Sequence, residues 1–510
     1  MAPVYLFLLT LLFATLLYLY FRPRSHAPLP PGPMGWPILG NLPQLGTKPH
    51  QTLYHLSHVH GPLMHLRFGR TDTIVAASAA VASLLLKTHD ANFAGRPLSS
   101  GPKVMAYDGH SVAWSPYGDR WRAIRKICSL HLFSTKALDG FRHIRQSEVA
   151  AMAAGLAAAT AAAAVEVGPW LNACTANTIS RVTLGRRLFA VDGSGREEVR
   201  EFKEMSVELT KLAGEFVVGD FVPALKWVDV GGVVGKMKRL SRQFDGFLEK
   251  IIREHMEESG PAEQHEDFLS VLIKLKEDGD EDGGKLTDQE MKGILLDMFV
   301  AGTDTSASTA EWALAELIRH PDILKKAQKE LDSVVGRDRL VSESDLAHLP
   351  LLQAIIKETF RIHPSTPLSL PRVAADHCEI NGYHIPKGAT LLVNVWAIGR
   401  DPATWADPLE FRPSRFLPGG GHEHVDIKGN DFEIIPFGAG RRICAGMSLG
   451  LRMVQLMAAT LVHAFDWALP VGQDPEKLNM EEAFGLTLQR AVPLAVCPKP
   501  RLAPHVYRAA

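Results

Sequence analysis

The chain has 510 residues, a formal net charge of -1 and 46% hydrophobic residues. That balance describes a globular protein with a large core and no overall basic field, which points away from nucleic acid as a partner. Its cysteines, Cys128, Cys174, Cys378, Cys444 and Cys497, are widely spaced with no C-x-x-C pair, so a reduced compartment fits better than a disulfide framework.

The first predicted element is "PVYLFLLTLLFATLLYLYF", Pro3 to Phe21, an uncharged run close to the length of about 20 residues that spans a bilayer. Arg22 and Arg24 follow, and the positive-inside rule then places everything after them in the cytosol. No Asn-x-Ser/Thr sequon occurs, which is compatible with a body never exposed to a lumen. The expectation is a membrane anchor over 1–24, then a proline-rich hinge, "APLPPGPMGWP", leading into the body over 25–50. Length alone suggests several domains beyond it.

"LMHLRFG" and "TDTIVAAS" predict strands between residues 61 and 78, and helical periodicity dominates after about residue 85. The alanine-rich stretch 150–167 predicts a helix that Gly168 and Pro169 stop. "EESGPAEQHED" and "KEDGDEDGGK" read as solvated loops. Thr287 and Glu290 can form a capping box that opens a helix of roughly thirty residues, about 45 Å, stopped by Pro321.

The middle of that helix, "AGTDTSAST", places Gly302 and a Ser/Thr cluster where helix formers are expected. Either the helix opens there to hold water or a small ligand, or it presents a polar face. Asp304 beside Thr305, an acid next to an alcohol, is a candidate proton relay. "KETFR" puts Glu358 and Arg361 on one helix face, and the prolines of "PLSLPR" aim Arg372 inward.

"PFGAGRRICAGMSLG" sets Cys444 between a glycine loop and a strong helical pattern. Backbone N–H groups at a helix start favour a thiolate, and the glycines let a flat cofactor approach the sulfur, so a thiolate on haem iron fits. Arg442, with Trp121 and Arg125 of "WRAIR", can then bind haem propionates; ordinary packing is the alternative for these three.

These residues resemble the cytochrome P-450 haem-thiolate monooxygenases of microsomal plant type. "FGAGRRICAG" is similar to the family's F-x-x-G-x-R-x-C-x-G signature, "AGTDT" to its oxygen-activation motif, "KETFR" to E-x-x-R and "WRAIR" to W-x-x-x-R. The resemblance implies a mainly α fold with a small β region, one catalytic domain over 51–510 rather than several, and haem b with Cys444 as the axial metal ligand. It places Arg442, Trp121, Arg125, Arg372, Phe437 and Gly438 around the cofactor and Asp304 and Thr305 in catalysis. It completes a structural triad of Glu358 and Arg361 with Arg415 of "FRPSRF", where Ser414 stands in place of the usual acid. No flavin or nicotinamide signature is present, so electrons are expected from NADPH through a membrane-bound P-450 reductase, steered by Arg122, Lys126 and Arg441. The implied location is the endoplasmic reticulum membrane.

Within that superfamily, "FVPALKWVDVGGVVGKMKRL", "VDIKGNDFEIIPFGAGRRICAGMSLGLRMVQL" and "PEKLNMEEAFGLTLQRAVPL" resemble the flavonoid 3'-hydroxylases, with "VDIKG" and "GGGH" departing from the usual wording. The implied reaction is O2-dependent hydroxylation of the flavonoid B-ring. The implied substrate slot contains Phe299, Ala301, Thr366, Leu370, Phe484 and Thr487, and related 3',5'-hydroxylases tend to carry a smaller residue at the last position. The alternatives are another plant flavonoid or phenylpropanoid hydroxylase, and a haem-thiolate isomerase or dehydratase, against which Asp304 and Thr305 argue.

Overall fold

The computed structural model describes residues 10–11, 27–159, 164–188, 197–258, 267–279 and 284–508. Apart from Thr10 and Leu11, the expected anchor lies outside the described residues. The two strands read from alternation form as an antiparallel hairpin, β1 (Leu63–Phe68) and β2 (Thr71–Ala76). β3 (Arg372–Val373) and β4 (Thr390–Val393) complete a four-stranded sheet in the order β1-β2-β4-β3, with β2 and β4 parallel. A second, two-stranded ladder pairs β5 (Glu482–Ala483) with β6 (Gln489–Arg490).

Two further small sheets lie elsewhere, and the helices that frame the site are α1 (Asp119–His131), α2 (Val167–Leu184), α3 (Glu197–Ala213), α4 (Val233–Glu258), α5 (Asp288–Arg319), α6 (Pro350–Ile362) and α7 (Met447–Ala464). The Gly168–Pro169 pair does not stop a helix. It lies in the first turn of α2, where the N–H that proline lacks would have no helical partner anyway. The preceding helix runs Arg142–Ala159.

α5 is the axis of the molecule. Its start is fixed by the capping box: Thr287 Oγ1 accepts from the Glu290 N–H at 3.2 Å, and Glu290 Oε2 accepts from the Thr287 N–H at 2.9 Å. It packs on α2 on one side and on α7 on another. The helix is unbroken through residues 301–309, so the polar stretch does not open it. Thr303, Thr305 and Thr309 instead donate to the carbonyls four residues back, at 2.7, 2.8 and 2.8 Å. Gly302 serves the helix crossing, since a Cβ there would lie 2.7 Å from Ile179 Cδ1 of α2. α7 is long and apolar enough to cross a membrane, but 67% of its apolar window is buried against the core, which accounts for its composition.

Below the site, Glu358 and Arg361 form a bidentate pair at 2.7 and 2.8 Å, and Arg415 Nε joins Glu358 at 3.0 Å. All three are buried, and Arg361 also donates to the carbonyls of Gly399, Pro408 and Glu410. Ser414 is exposed, so the departure from the family pattern falls on solvent and leaves the triad intact. Truncating one member strands a buried charge, so Glu358→Ala should lower unfolding free energy by about 3–5 kcal/mol. Urea unfolding midpoints would measure it, and a midpoint equal to the wild type would show that the triad does not hold this region.

Candidate functional site

Gly438 and Gly440 adopt positive φ of 69° and 68°, which bends the segment into the turn that presents Cys444. At Gly440 nothing larger fits, because a Cβ would lie 2.3 Å from the Leu86 carbonyl oxygen. The Cys444 N–H donates to the Phe437 carbonyl at 3.0 Å, and Gly446 caps the start of α7 two residues on. The Cys444 side chain is exposed, and it faces a chamber of about 270 Å³. Burial raises the thiol above its ordinary value, against the opposing pull of the Gly446 N–H and the Arg125 charge. The helix start alone therefore does not make a thiolate here. A metal cation at the sulfur reverses that balance.

Ala301, Gly302 and Thr305 of α5 line one wall of this chamber; Phe437, Gly438 and Cys444 line the other. Arg96, Arg125, Arg372 and Arg442 line it as well. Arg442 donates to the carbonyls of Ala94 and Ser115 at 2.7 and 2.6 Å, and Arg372 to that of Ala439 at 2.8 Å. Nη1 of Arg442, and Nε and Nη1 of Arg372, are buried without a hydrogen-bond partner. Burial, with repulsion from Arg372 and Arg125, pushes Arg442 down to about 10, and burial pushes Arg372 to about 10. Buried cationic donors without acceptors are costly. A flat macrocycle carrying two carboxylates supplies those acceptors, so the donor set fits haem.

The Trp121 indole N–H donates to the Val112 carbonyl at 3.0 Å. The ring forms a platform under the guanidinium groups of Arg442 at 4.2 Å and Arg125 at 5.6 Å. Arg96 was not singled out in the sequence; it is held by the carbonyls of Ala113, Leu370 and Pro371 at 2.7–2.9 Å.

A second chamber of about 240 Å³ adjoins the first and shares Ala301, Thr305, Thr366 and Leu370 with it. Phe484 and Thr487 line its outer part. Phe299 does not line either chamber and is buried in the core. The helical period explains this: residues two apart project on opposite sides, whereas 297, 301 and 305 share a face. Asp297, also missed in the sequence, occupies that face; it accepts from the Ala113 N–H at 2.9 Å, and burial raises its carboxyl to about 6. Its signal was the four-residue spacing to Ala301 and Thr305. Asp304 and Thr305 diverge by one helical step. Thr305 lines both chambers, while the Asp304 carboxylate is buried against Thr487 and Gln489.

The sequence profile described as "Cytochrome P450" matches residues 30–496. The chain belongs to the cytochrome P450 family. It is 61% identical over 507 residues, 99% of both chains, to a flavonoid 3'-monooxygenase of Crocosmia x crocosmiiflora. It is 54% identical over 489 residues, 94% of this chain and 92% of the other, to a flavonoid 3',5'-hydroxylase of the same plant. A zebra fish cytochrome P450 solved with progesterone matches with a TM-score of 0.75 at 26% identity, covering 89% of this chain and 99% of that one. The cofactor of this cytochrome P450 monooxygenase is therefore haem with a cysteine thiolate, and its electrons come from NADPH through a reductase.

Replacing Arg372 or Arg442 by leucine should weaken haem retention roughly 10- to 100-fold, the scale of one lost hydrogen bond to a charged group. Transfer of haem to apomyoglobin measures this, and retention equal to the wild type would remove the propionate role. Asp297 gives a pH signature. Its native value of about 6 lies above the unfolded value near 4, so the native state binds the proton more tightly. Stability should fall as pH rises from about 4 to about 6, with the penalty complete above that window. Asp297→Asn should flatten this part of the unfolding-midpoint profile; an unchanged slope would assign it to other groups.

Proposed function

We propose that the chain hydroxylates the flavonoid B-ring at its 3' carbon, on naringenin, dihydrokaempferol, kaempferol or apigenin type substrates. The observation that carries this is identity to a flavonoid 3'-monooxygenase over nearly the whole of both chains, higher than to a 3',5'-hydroxylase. The outer chamber agrees with it, being mostly apolar with a few polar groups, as a flat polyphenol requires.

Bound haem supplies the binding and reductive activation of O2 at the Cys444 wall. Arg96, Arg125, Arg372 and Arg442 line its chamber and would hold its carboxylates. Ala301 keeps that wall low enough for a ring to lie close. Thr305 lies where the chambers meet, its hydroxyl donating to the Ala301 carbonyl, and Asp304, one residue back and turned to the C-terminal hairpin, is the acid group we assign to proton delivery toward the cavity. Thr366, Leu370, Phe484 and Thr487 orient the flavonoid and exclude water. Arg122, Lys126 and Arg441 are exposed around the cysteine side and suit the acidic face of the reductase. Residues 1–24 anchor the chain in the endoplasmic reticulum membrane with residues 51–510 in the cytosol.

Membranes carrying the full chain and a reductase, given NADPH and naringenin, dihydrokaempferol or apigenin, should yield products with one added hydroxyl at 3', and the chain should resist alkaline extraction. A second hydroxyl at 5' would make it a 3',5'-hydroxylase. Turnover without NADPH would indicate an isomerase or dehydratase.

A further inference from the structure

The carboxylate of Asp304 is clamped from the C-terminal hairpin. Oδ2 accepts from Thr487 Oγ1 at 2.5 Å, and Gln489 Nε2 spans both oxygens at 2.9 and 2.8 Å. Asp304 and Thr487 are buried, at 6% and 5% exposure. The hairpin cannot drift from α5, because the intervening Leu488 carbonyl accepts from Ser308 Oγ at 3.0 Å and its N–H donates to the Ser365 carbonyl at 2.8 Å. Three consecutive residues thus tie β6 to the middle of α5. One of them, Thr487, also lines the outer chamber. Its hydroxyl is spent on Asp304, so what it offers a substrate is its methyl group.

We propose that Gln489, acting with the Thr487 hydroxyl, is a positioning residue that fixes the Asp304 carboxylate, so that position 487 sets proton supply to the cavity as well as the shape of its wall. This rests on the monooxygenase reading, but not on which flavonoid is used. In productive turnover, substrate, O2, NADPH and a proton give hydroxylated product, NADP+ and water. When protons reach reduced oxygen out of order, O2, NADPH and a proton give H2O2 and NADP+ instead. The amide alone bridges both oxygens and leaves the carboxylate free to rock about that bridge; the Thr487 hydroxyl, a second donor on Oδ2 from another direction, narrows it to one orientation.

The test uses the full chain with haem and reductase in membranes, and three variants. Thr487→Val keeps the shape and removes the donor; Thr487→Ser keeps the donor and removes the methyl; Gln489→Met keeps the length and removes the amide. Product formed and H2O2 released per NADPH are measured with the solvent deuterium isotope effect on that ratio. Substrate affinity comes from spectral titration, and retained haem from the reduced, CO-bound spectrum. Thr487→Val and Gln489→Met should each form roughly tenfold less product per NADPH at saturating substrate, the scale of one lost charge-assisted hydrogen bond. Thr487→Ser, which alters the wall but keeps the donor, should lose clearly less of this ratio than Thr487→Val. Wild-type coupling in Thr487→Val overturns the proposal, and so does equal uncoupling in Thr487→Ser, which would assign the effect to wall shape. If Gln489→Met loses haem, the two Thr487 variants decide the matter. Absence of a 3'-hydroxyl in wild-type product would sink the flavonoid reading alone, since the coupling ratios are then read on whichever substrate is hydroxylated.

Discussion

Burying Arg96, Arg372 and Arg442 beside one flat chamber is unfavourable for the polypeptide by itself, because each guanidinium loses its water and repels the others. Backbone carbonyls take up only part of that cost. The same carbonyls belong to Ala94, Ala113, Ser115, Leu370, Pro371 and Ala439, so the arginines also draw four separate chain segments together around the chamber. Arg442 Nη1 and Arg372 Nε and Nη1 have no hydrogen-bond acceptor, although Asp90 lies 3.7 Å from Arg372 Nη1 as an ion-pair partner. The cofactor is thus a structural member of the fold as well as its reactive centre, and its binding free energy adds to the stability of the loops that surround it.

The periodicity of α5 distributes the functions of the site around one cylinder. Asp297, Ala301 and Thr305 share the face turned to the cavity. Gly302, one step on, is the place where α2 approaches, and Phe299 lies on the side given to the core. Asp304 turns to the C-terminal hairpin. Adjacent residues in the sequence therefore have unrelated environments, and an acid and an alcohol that read as a pair serve different surroundings.

Features governed by neighbours in sequence were legible before the structure. The capping box at Thr287, the helix stop before Pro321, the hairpin of β1 and β2 and the face shared by Glu358 and Arg361 all follow from local spacing. What escaped depends on partners far along the chain. Nothing near Trp121 shows that its N–H belongs to Val112, and nothing near Gly302 names Ile179. Arg96 and Asp297 acquire meaning only when segments some 200 residues apart meet. The Gly168–Pro169 pair misled for another reason: the same two residues that end one helix are compatible with the first turn of the next, and local sequence does not choose between them.

The β5–β6 hairpin ties the wall of the outer chamber to the Asp304 carboxylate. Its turn reaches the outer chamber through Phe484, whose ring stacks on His50 at 5.4 Å, and through Thr487. The Leu486 N–H donates to the Thr210 carbonyl of α3 at 3.0 Å, so the turn is held from the roof of the chamber as well as from α5. With both ends of the turn fixed, a smaller side chain at 487 enlarges the chamber instead of letting the turn settle inward. Loss of its hydroxyl is a separate event, felt at Asp304 across the hydrogen bond. Serine and alanine at this position therefore differ in kind: the first changes space alone, and the second changes space and the acid together.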